Sequence, residues 1–308
     1  MKKTGFIYEL KKNRMLFIML IPAFVLVLVF SYIPMSGLVL AFKKYNIRDG
    51  IFGSAWCGFD NFKFFFVSGK GFRVTMNTIV FNLINLVTSQ FLAMLLAVVI
   101  TEMNGRFFKK ISQSILFLPY FISWIIVGAF VYNIFNYESG VLNHLLDMFG
   151  QPPVNMYRRE MSPVWICIIV FFNSWKWAGY NSVIYTAAIT GVDQERYEAA
   201  AIDGANIFQR IIRIMIPSVK PTIIVMLLLN VSRILRGDFQ MFYQIIGDNS
   251  MLFGTTDVID TYVFRSLAAG ANLEMTTAAA FYQSILCFII IVAVNGAVKH
   301  IDKDYALF

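Results

Sequence analysis

Apolar residues run along this chain in long, nearly unbroken stretches separated by short polar ones. A membrane-crossing helix needs about 20 mostly apolar residues, and six stretches qualify: 15–42, 75–102, 110–135, 163–190, 221–247 and 277–298. Arg233, Arg236 and Asp238 interrupt the fifth. The pattern predicts an all-α integral membrane protein of six transmembrane helices, one domain over 1–308, with both termini on the same side. Between the third and fourth stretches, Leu142, Leu145, Leu146 and Phe149 share a face of a short predicted helix. Ahead of the second, Trp56, Gly58, Asp60, Asn61 and the Phe-rich run to Phe66 read as an interfacial aromatic segment.

Composition supports the pattern. The 308 residues are 58% hydrophobic and 14% charged, whereas a soluble domain carries about 25% charged residues. The net charge of +8 does not mark a nucleic-acid binder, because long apolar runs separate the basic residues and no stripe forms. Lys and Arg in the N-terminus, near Arg106, from Arg196 to Lys220 and in the C-terminus outnumber those in the alternate loops. That bias predicts cytoplasmic termini. Lys2, Lys3, Lys11, Lys12 and Arg14 ahead of an apolar run superficially match a signal peptide. The run is far longer than the ~7–15 residues of a signal core, so a retained helix is expected.

Cys57, Cys167 and Cys287 are scattered, which suggests neither a disulfide framework nor a zinc site. With two histidines, a metal or proton site built on them is not expected. No Gly-x-x-x-x-Gly-Lys-[Ser/Thr] run is present to cradle a nucleotide phosphate.

The loop 191–217 is the most informative segment. Asp193 is a candidate N-cap with Glu195 in the first turn, and Ala199, Ala200, Ala201 and Ala205 give that helix a small-residue surface. Gly204 can turn the chain. A second helix follows with Phe208, Ile211, Ile212 and Met215 apolar, Pro217 is expected to end it, and Pro221 suits the first turn of the next span.

Glu198-Ala199-Ala200, then Gly204, Ile214 and Pro217 match at every fixed position the EAA motif of importer permeases. The chain thus resembles the permease subunits of bacterial ABC importers. Pro22, Pro34, the segment Trp56–Phe62, Asn77-Thr78 and Leu118-Pro119 look like the carbohydrate branch, and 257–262 with Asn295 looks like its oligosaccharide subgroup. The resemblance implies a type I importer permease fold in the bacterial cytoplasmic membrane, with loop 191–217 as the coupling helix that docks on an ATPase. It implies a second, related permease, an ATPase dimer that binds ATP and Mg, and an extracellular solute-binding lipoprotein. No cofactor is expected in this chain, which would be a transport subunit working by alternating access, not an enzyme.

Polar groups within a membrane helix are costly and call for a reason. Thr78, Asn82, Asn85 and Ser89 share one face of the second stretch, either as interhelical hydrogen-bond glue or as pathway lining. Asn173, Trp175, Lys176, Trp177, Tyr180 and Asn181 lie near the middle of the fourth. They combine the aromatic faces and polar partners that suit a sugar, or they pack between helices. The fifth carries Asn230, Arg233, Arg236, Asp238, Gln240, Tyr243 and Gln244, with Arg233 roughly 18–20 Å from its cytoplasmic start. The excess cations would bind the carboxylate of an acidic, uronate-containing oligosaccharide, or acidic residues of the partner permease would neutralise them. The competing reading is an ion-coupled secondary transporter of a small polar solute. It would leave the 191–217 loop without a purpose and has only Asp238 as an intramembrane acid.

Overall fold

In the computed structural model, residues 8, 9, 12–67, 69–231, 233–270 and 272–301 are described. Lys2, Lys3 and Lys11 of the basic N-terminus and the tail beyond Ile301 lie outside them. The protein is helical almost throughout. By Cα proximity the chain divides into two units, 1–68 with 267–281, and 69–266 with 282–308.

The first unit holds helix α1 (Arg14–Phe42), which buries nothing before Leu40 and Ala41. An apolar helix exposed all round suits a lipid environment. Its backbone widens into a π turn at Leu28–Tyr32, just ahead of Pro34. Proline has no N–H and crowds the carbonyl four residues back, and the wider turn relieves both. A two-residue antiparallel ladder follows, β1 (Lys43–Lys44) on β2 (Ala55–Trp56), and then helix α2 (Asp60–Val67). Asn61 is buried and donates to the carbonyls of Ala41 (3.0 Å) and Lys43 (2.9 Å), fixing the turn from α1 into the ladder. Phe42, Phe59, Phe62 and Phe281 pack ring on ring beside it. The aromatic segment read from the sequence is thus a folded one.

In the second unit, α3 (Lys70–Glu102) and α7 (Ser162–Thr190) form the central pair. Around them lie α4 (Arg106–Phe117), α5 (Trp124–Phe135), α6 (Val141–Met148), α8 (Gln194–Ile202), α9 (Ile207–Ser218), α10 (Lys220–Val231), α11 (Phe239–Ile246) and α12 (Ile259–Ala268). Helix α13 (Leu273–Ile301) completes the chain. Two apolar cores sit at opposite ends of α7. One joins Trp124, Val131, Trp165, Ile169, Met241 and Phe242, and the other joins Ala93, Ala97, Tyr185, Ile189, Met215 and Val219.

Helix contacts are close enough that two positions admit only glycine. A Cβ on Gly179 would lie 1.8 Å from the Leu116 carbonyl oxygen, and one on Gly128 would lie 2.5 Å from that of Gln244. These contacts set the spacing of α7 against α4 and of α5 against α11.

The sequence expectation differs from the structure in six places. Of the six expected spans, α1, α3 and α13 are single helices long and apolar enough to cross a membrane. The third is broken between Phe121 and Trp124 with an 89° bend, and the fifth unwinds between α10 and α11. The fourth, α7, has 29 residues, but Asn173, Lys176, Asn181 and several hydroxyls dilute its apolar character. In α6 the buried residue is Asn143, bonded to Tyr137 and Val154, while Leu145 and Phe149 are exposed. Finally, Asp193 is at the N-cap position of α8 without making a capping bond, and Pro217 sits inside α9, which runs on to Ser218.

Candidate functional site

The loop between α7 and α10 presents α8 outward. Glu198 and Ala199 are exposed, Ala200 is half-buried, and no residue of α8 is buried. The helix stops at Gly204, whose φ of +76° is open to glycine at little cost. Gly204 N–H donates to the Ala201 carbonyl at 3.1 Å and Ala205 N–H to that of Ala200 at 2.9 Å. Those two bonds make a Schellman stop, which satisfies the carbonyls a helix end leaves orphaned. Two residues later Asn206 begins α9 with a capping box, exchanging bonds with Gln209. The sequence reading missed that box, although Asn-x-x-Gln after a glycine is its signature. The chain therefore reverses sharply at a fixed point, and α9 carries Phe208 and Ile212 outward. With Ile202, 87% exposed, they form an apolar surface on an otherwise polar loop.

The opposite face of the same loop is anchored. Met215 is buried, and Tyr197 and Ile211 pack with it against Ala93, Ala97, Tyr185 and Ile189 on α3 and α7. Arg210 pairs with Glu102, the last residue of α3, at 3.8 Å. Burial pushes the Tyr197 phenol above its ordinary value, the nearby Glu102 carboxylate adds to that, and Arg210 opposes it. Ile214 is half-buried and Pro217 exposed. The Ile211–Met215 turn is a π turn placed ahead of Pro217, as the one in α1 is ahead of Pro34. Ile202 and Phe208 are thus on the exposed side of a loop whose other side packs on α3 and α7 through Tyr197, Ile211 and Met215.

At mid-chain depth the candidate pathway residues divide into two groups. One group holds the breaks together. The buried Lys176 ammonium donates to the carbonyls of Tyr120 (3.0 Å), Pro119 (3.5 Å) and Ile122, the groups left open where α4 gives way to α5. It also lies 5.2 Å from the Trp124 ring centre. Asp238 caps α11, accepting from Met241 N–H, and takes the Trp124 indole N–H at 2.7 Å. Asn173 donates to Ser89 on α3, which makes this pair helix–helix glue. Tyr180 stacks on Tyr120 at 4.4 Å, with Trp177 edge-on to both.

The unwound backbone over 233–238 has its own supports, of which the sequence reading named Asn82, as glue or pathway lining, and did not find Gln283 and Asp260. Asn82 donates to the carbonyl of Ile234 (2.8 Å), and Gln283 to that of Leu235 (2.6 Å). Asp260 accepts the Gly237 N–H at 2.8 Å and the Gln283 amide at 3.1 Å. Irregular backbone at membrane depth persists only where protein or a wet cavity satisfies its polar groups. Gln283, an amide within an apolar run, was the available signal.

The second group stays open. Arg233 and Arg236 are exposed and, among the described residues, form no salt bridge. Asn230 is exposed and bonds back to the Met226 carbonyl. Trp175 and Asn181 are partly exposed, and Tyr243 stacks on Phe239 and meets Phe264.

Residues 89–306, which contain both the outward loop and the unwound segment, match the family of binding-protein-dependent transport system inner membrane components. The chain belongs to this family. Protein LplB of Bacillus subtilis (strain 168) is 31% identical over 98% of this chain and 94% of its own length. The polygalacturonan/rhamnogalacturonan transport system permease YteP of the same organism is 30% identical over 98% and 93%. A chain of a bacterial alginate ABC transporter, solved with an alginate pentasaccharide-bound periplasmic protein, superposes with a TM-score of 0.84. It is 32% identical and covers 96% of this permease and 97% of itself. The permease fold expected from the coupling motif is therefore present. The protein is a multi-pass transport subunit and not an enzyme, with the ATPase on a separate subunit.

Proposed function

We propose that this permease forms half of the transmembrane pathway of an ATP-driven oligosaccharide importer in the bacterial cytoplasmic membrane, and that acidic, uronate-containing chains are among its substrates. In this reading both termini and the loop 191–217 are cytoplasmic, and six spans cross the bilayer, two of them broken. Glu198, Ala199, Ala200 and Gly204 meet an ATPase dimer that holds ATP and Mg, while Ile214 and Pro217 set the path into α10. A second, related permease supplies the other half of the pathway, and an extracellular solute-binding lipoprotein delivers the sugar. ATP binding closes the ATPase pair, and the loop carries that motion through Tyr197, Ile211 and Met215 into α3 and α7. This chain itself binds no cofactor.

The substrate reading is carried by one observation: Arg233 and Arg236 are exposed cations on unwound backbone that form no salt bridge among the described residues, Arg236 feeling the Asp260 carboxylate only at a distance. An unpaired charge at membrane depth costs at least ~3 kcal/mol unless water or a counter-charge reaches it. A guanidinium fork suits a carboxylate. Lys176 and Asp238, which the sequence counts among the pathway charges, are occupied by backbone and by Trp124, so the arginines remain as the anion-binding pair. Trp175, Asn181, Asn230 and Tyr243 are placed to supply ring faces and amides. The alginate transporter, described as importing an acidic polysaccharide, and the polygalacturonan permease support the same class.

The test replaces both arginines with glutamine and follows uptake of an acidic and a neutral oligosaccharide. Selective loss of acidic-sugar uptake is expected. Equal uptake of the acidic sugar by variant and parent would overturn the substrate reading.

A further inference from the structure

At the end of α7 remote from the coupling loop lies a cleft of about 520 Å³ that no part of the proposed pathway uses. Its volume falls in the ~300–1,000 Å³ range of small-ligand clefts. It opens between the last turns of α5 and α11 and the loop segments that follow them. Its floor is set where Gly128 and the backbone of Gln244 approach too closely for a Cβ.

The polar groups in the cleft are divided in a specific way. Asn136 Oδ1 accepts from the backbone of Glu138 and Ser139, Asn155 Oδ1 from that of Tyr157, and Asn249 Oδ1 from that of Met251. Asn249 spends its amide donor on the Tyr157 carbonyl. The Asn136 and Asn155 amide N–H groups make no such bond among the described residues, so these two lining residues have donors to spare while their oxygens are engaged. Glu138 and Asp248 contribute carboxylate acceptors, and no lysine or arginine lines the space. Tyr132, Tyr137 and Tyr157 add aromatic faces with hydroxyls that both donate and accept. Burial, together with the neighbouring Tyr132, pushes the Tyr157 phenol up to about 12, so it remains a neutral hydroxyl at working pH.

We propose that this cleft binds an uncharged sugar ring. A purely donating ligand such as an ammonium group would leave the asparagine amides facing a cation. The carboxylate of a uronate, which only accepts, would meet two carboxylates in a cleft that no lysine or arginine lines. A polyol both donates and accepts, and the C–H face of its ring covers a tyrosine. The site would hold a neutral residue of a mixed chain while acidic residues pass Arg233 and Arg236. Only that placement in transport rests on the oligosaccharide-import reading. The binding itself rests on the cleft.

The test is saturation-transfer NMR on the full chain in lipid nanodiscs, with maltotriose, trigalacturonate and free arginine as probes. Maltotriose is expected to receive saturation, and its affinity to fall about tenfold in Tyr137→Ala and in the double variant Glu138→Gln, Asp248→Asn. No maltotriose signal, a signal untouched by the cleft variants, or stronger transfer to arginine would overturn the proposal. The measurement needs neither ATP nor transport, so a failed importer reading would not produce any of those outcomes.

Discussion

The Lys176 ammonium nitrogen lies 3.0 Å from the Tyr120 carbonyl oxygen, and the bend between α4 and α5 is built around that bond. The carbonyls of Pro119 and Ile122 turn to the same nitrogen, so the three donors of one lysine serve a backbone that has lost its helical partners. Leaving a buried polar group unpaired costs about 1–3 kcal/mol. Lys176→Met is therefore expected to lower the thermal unfolding midpoint of the detergent-solubilised protein by several degrees. A midpoint equal to that of the parent would mean that water serves these carbonyls instead.

Gly179 makes a sharper steric prediction. A Cβ at 1.8 Å from the Leu116 oxygen meets backbone, which cannot rotate away. Overpacking of this kind costs about 1–3 kcal/mol or more. Gly179→Ala should destabilise the protein more than Gly128→Ala, where the nearest atom is at 2.5 Å. Thermal unfolding of the two variants side by side checks the order.

Asp260 and Gln283 act on the same stretch of unwound backbone. Removing either also breaks the Gln283–Asp260 hydrogen bond that orients the other, so a double-mutant cycle with Asp260→Ala and Gln283→Leu is expected to give a coupling of about 0.5–3 kcal/mol. Additive effects would show that the two side chains support the break independently.

How much of this the chain reveals by itself depends on the range of the contact. The coupling loop is legible because its determinants are local: Gly204 turns the chain at its own position, and Pro217 sits at a fixed distance from it. The broken third span is not legible, because residues 110–135 stay apolar across the break while the side chain that stabilises it, Lys176, lies 54 to 57 positions away. The same holds for Asp238, whose charge reads as a pathway group until Trp124 is seen 114 positions back. In α6 the leucine pattern marked a shared apolar face, whereas the residue the structure buries is the well-bonded Asn143. Arg233 and Arg236 were legible as unusual, since nothing nearby in sequence pairs with them apart from Asp238.

Gly204 tests the loop's geometry with the smallest change to the surface it presents. Its φ of +76° is strained for any residue with a Cβ, although a Cβ there would meet no atom. Gly204→Ala should cost about 1–2 kcal/mol locally and reduce sugar uptake more than it reduces the amount of folded protein. Proportional losses of uptake and of folded protein would assign the glycine to folding alone.

The central claim is that the outward face of this loop meets an ATPase. A photo-crosslinking amino acid placed at Phe208, which is 71% exposed, reports on that directly in the membranes of the host cell. Met148, exposed near the other end of α7, serves as the control position. An ATPase subunit crosslinked from position 208 and absent from position 148 is the expected result. Equal labelling from both positions, or no ATPase from position 208 in membranes that still import the sugar, would contradict the account.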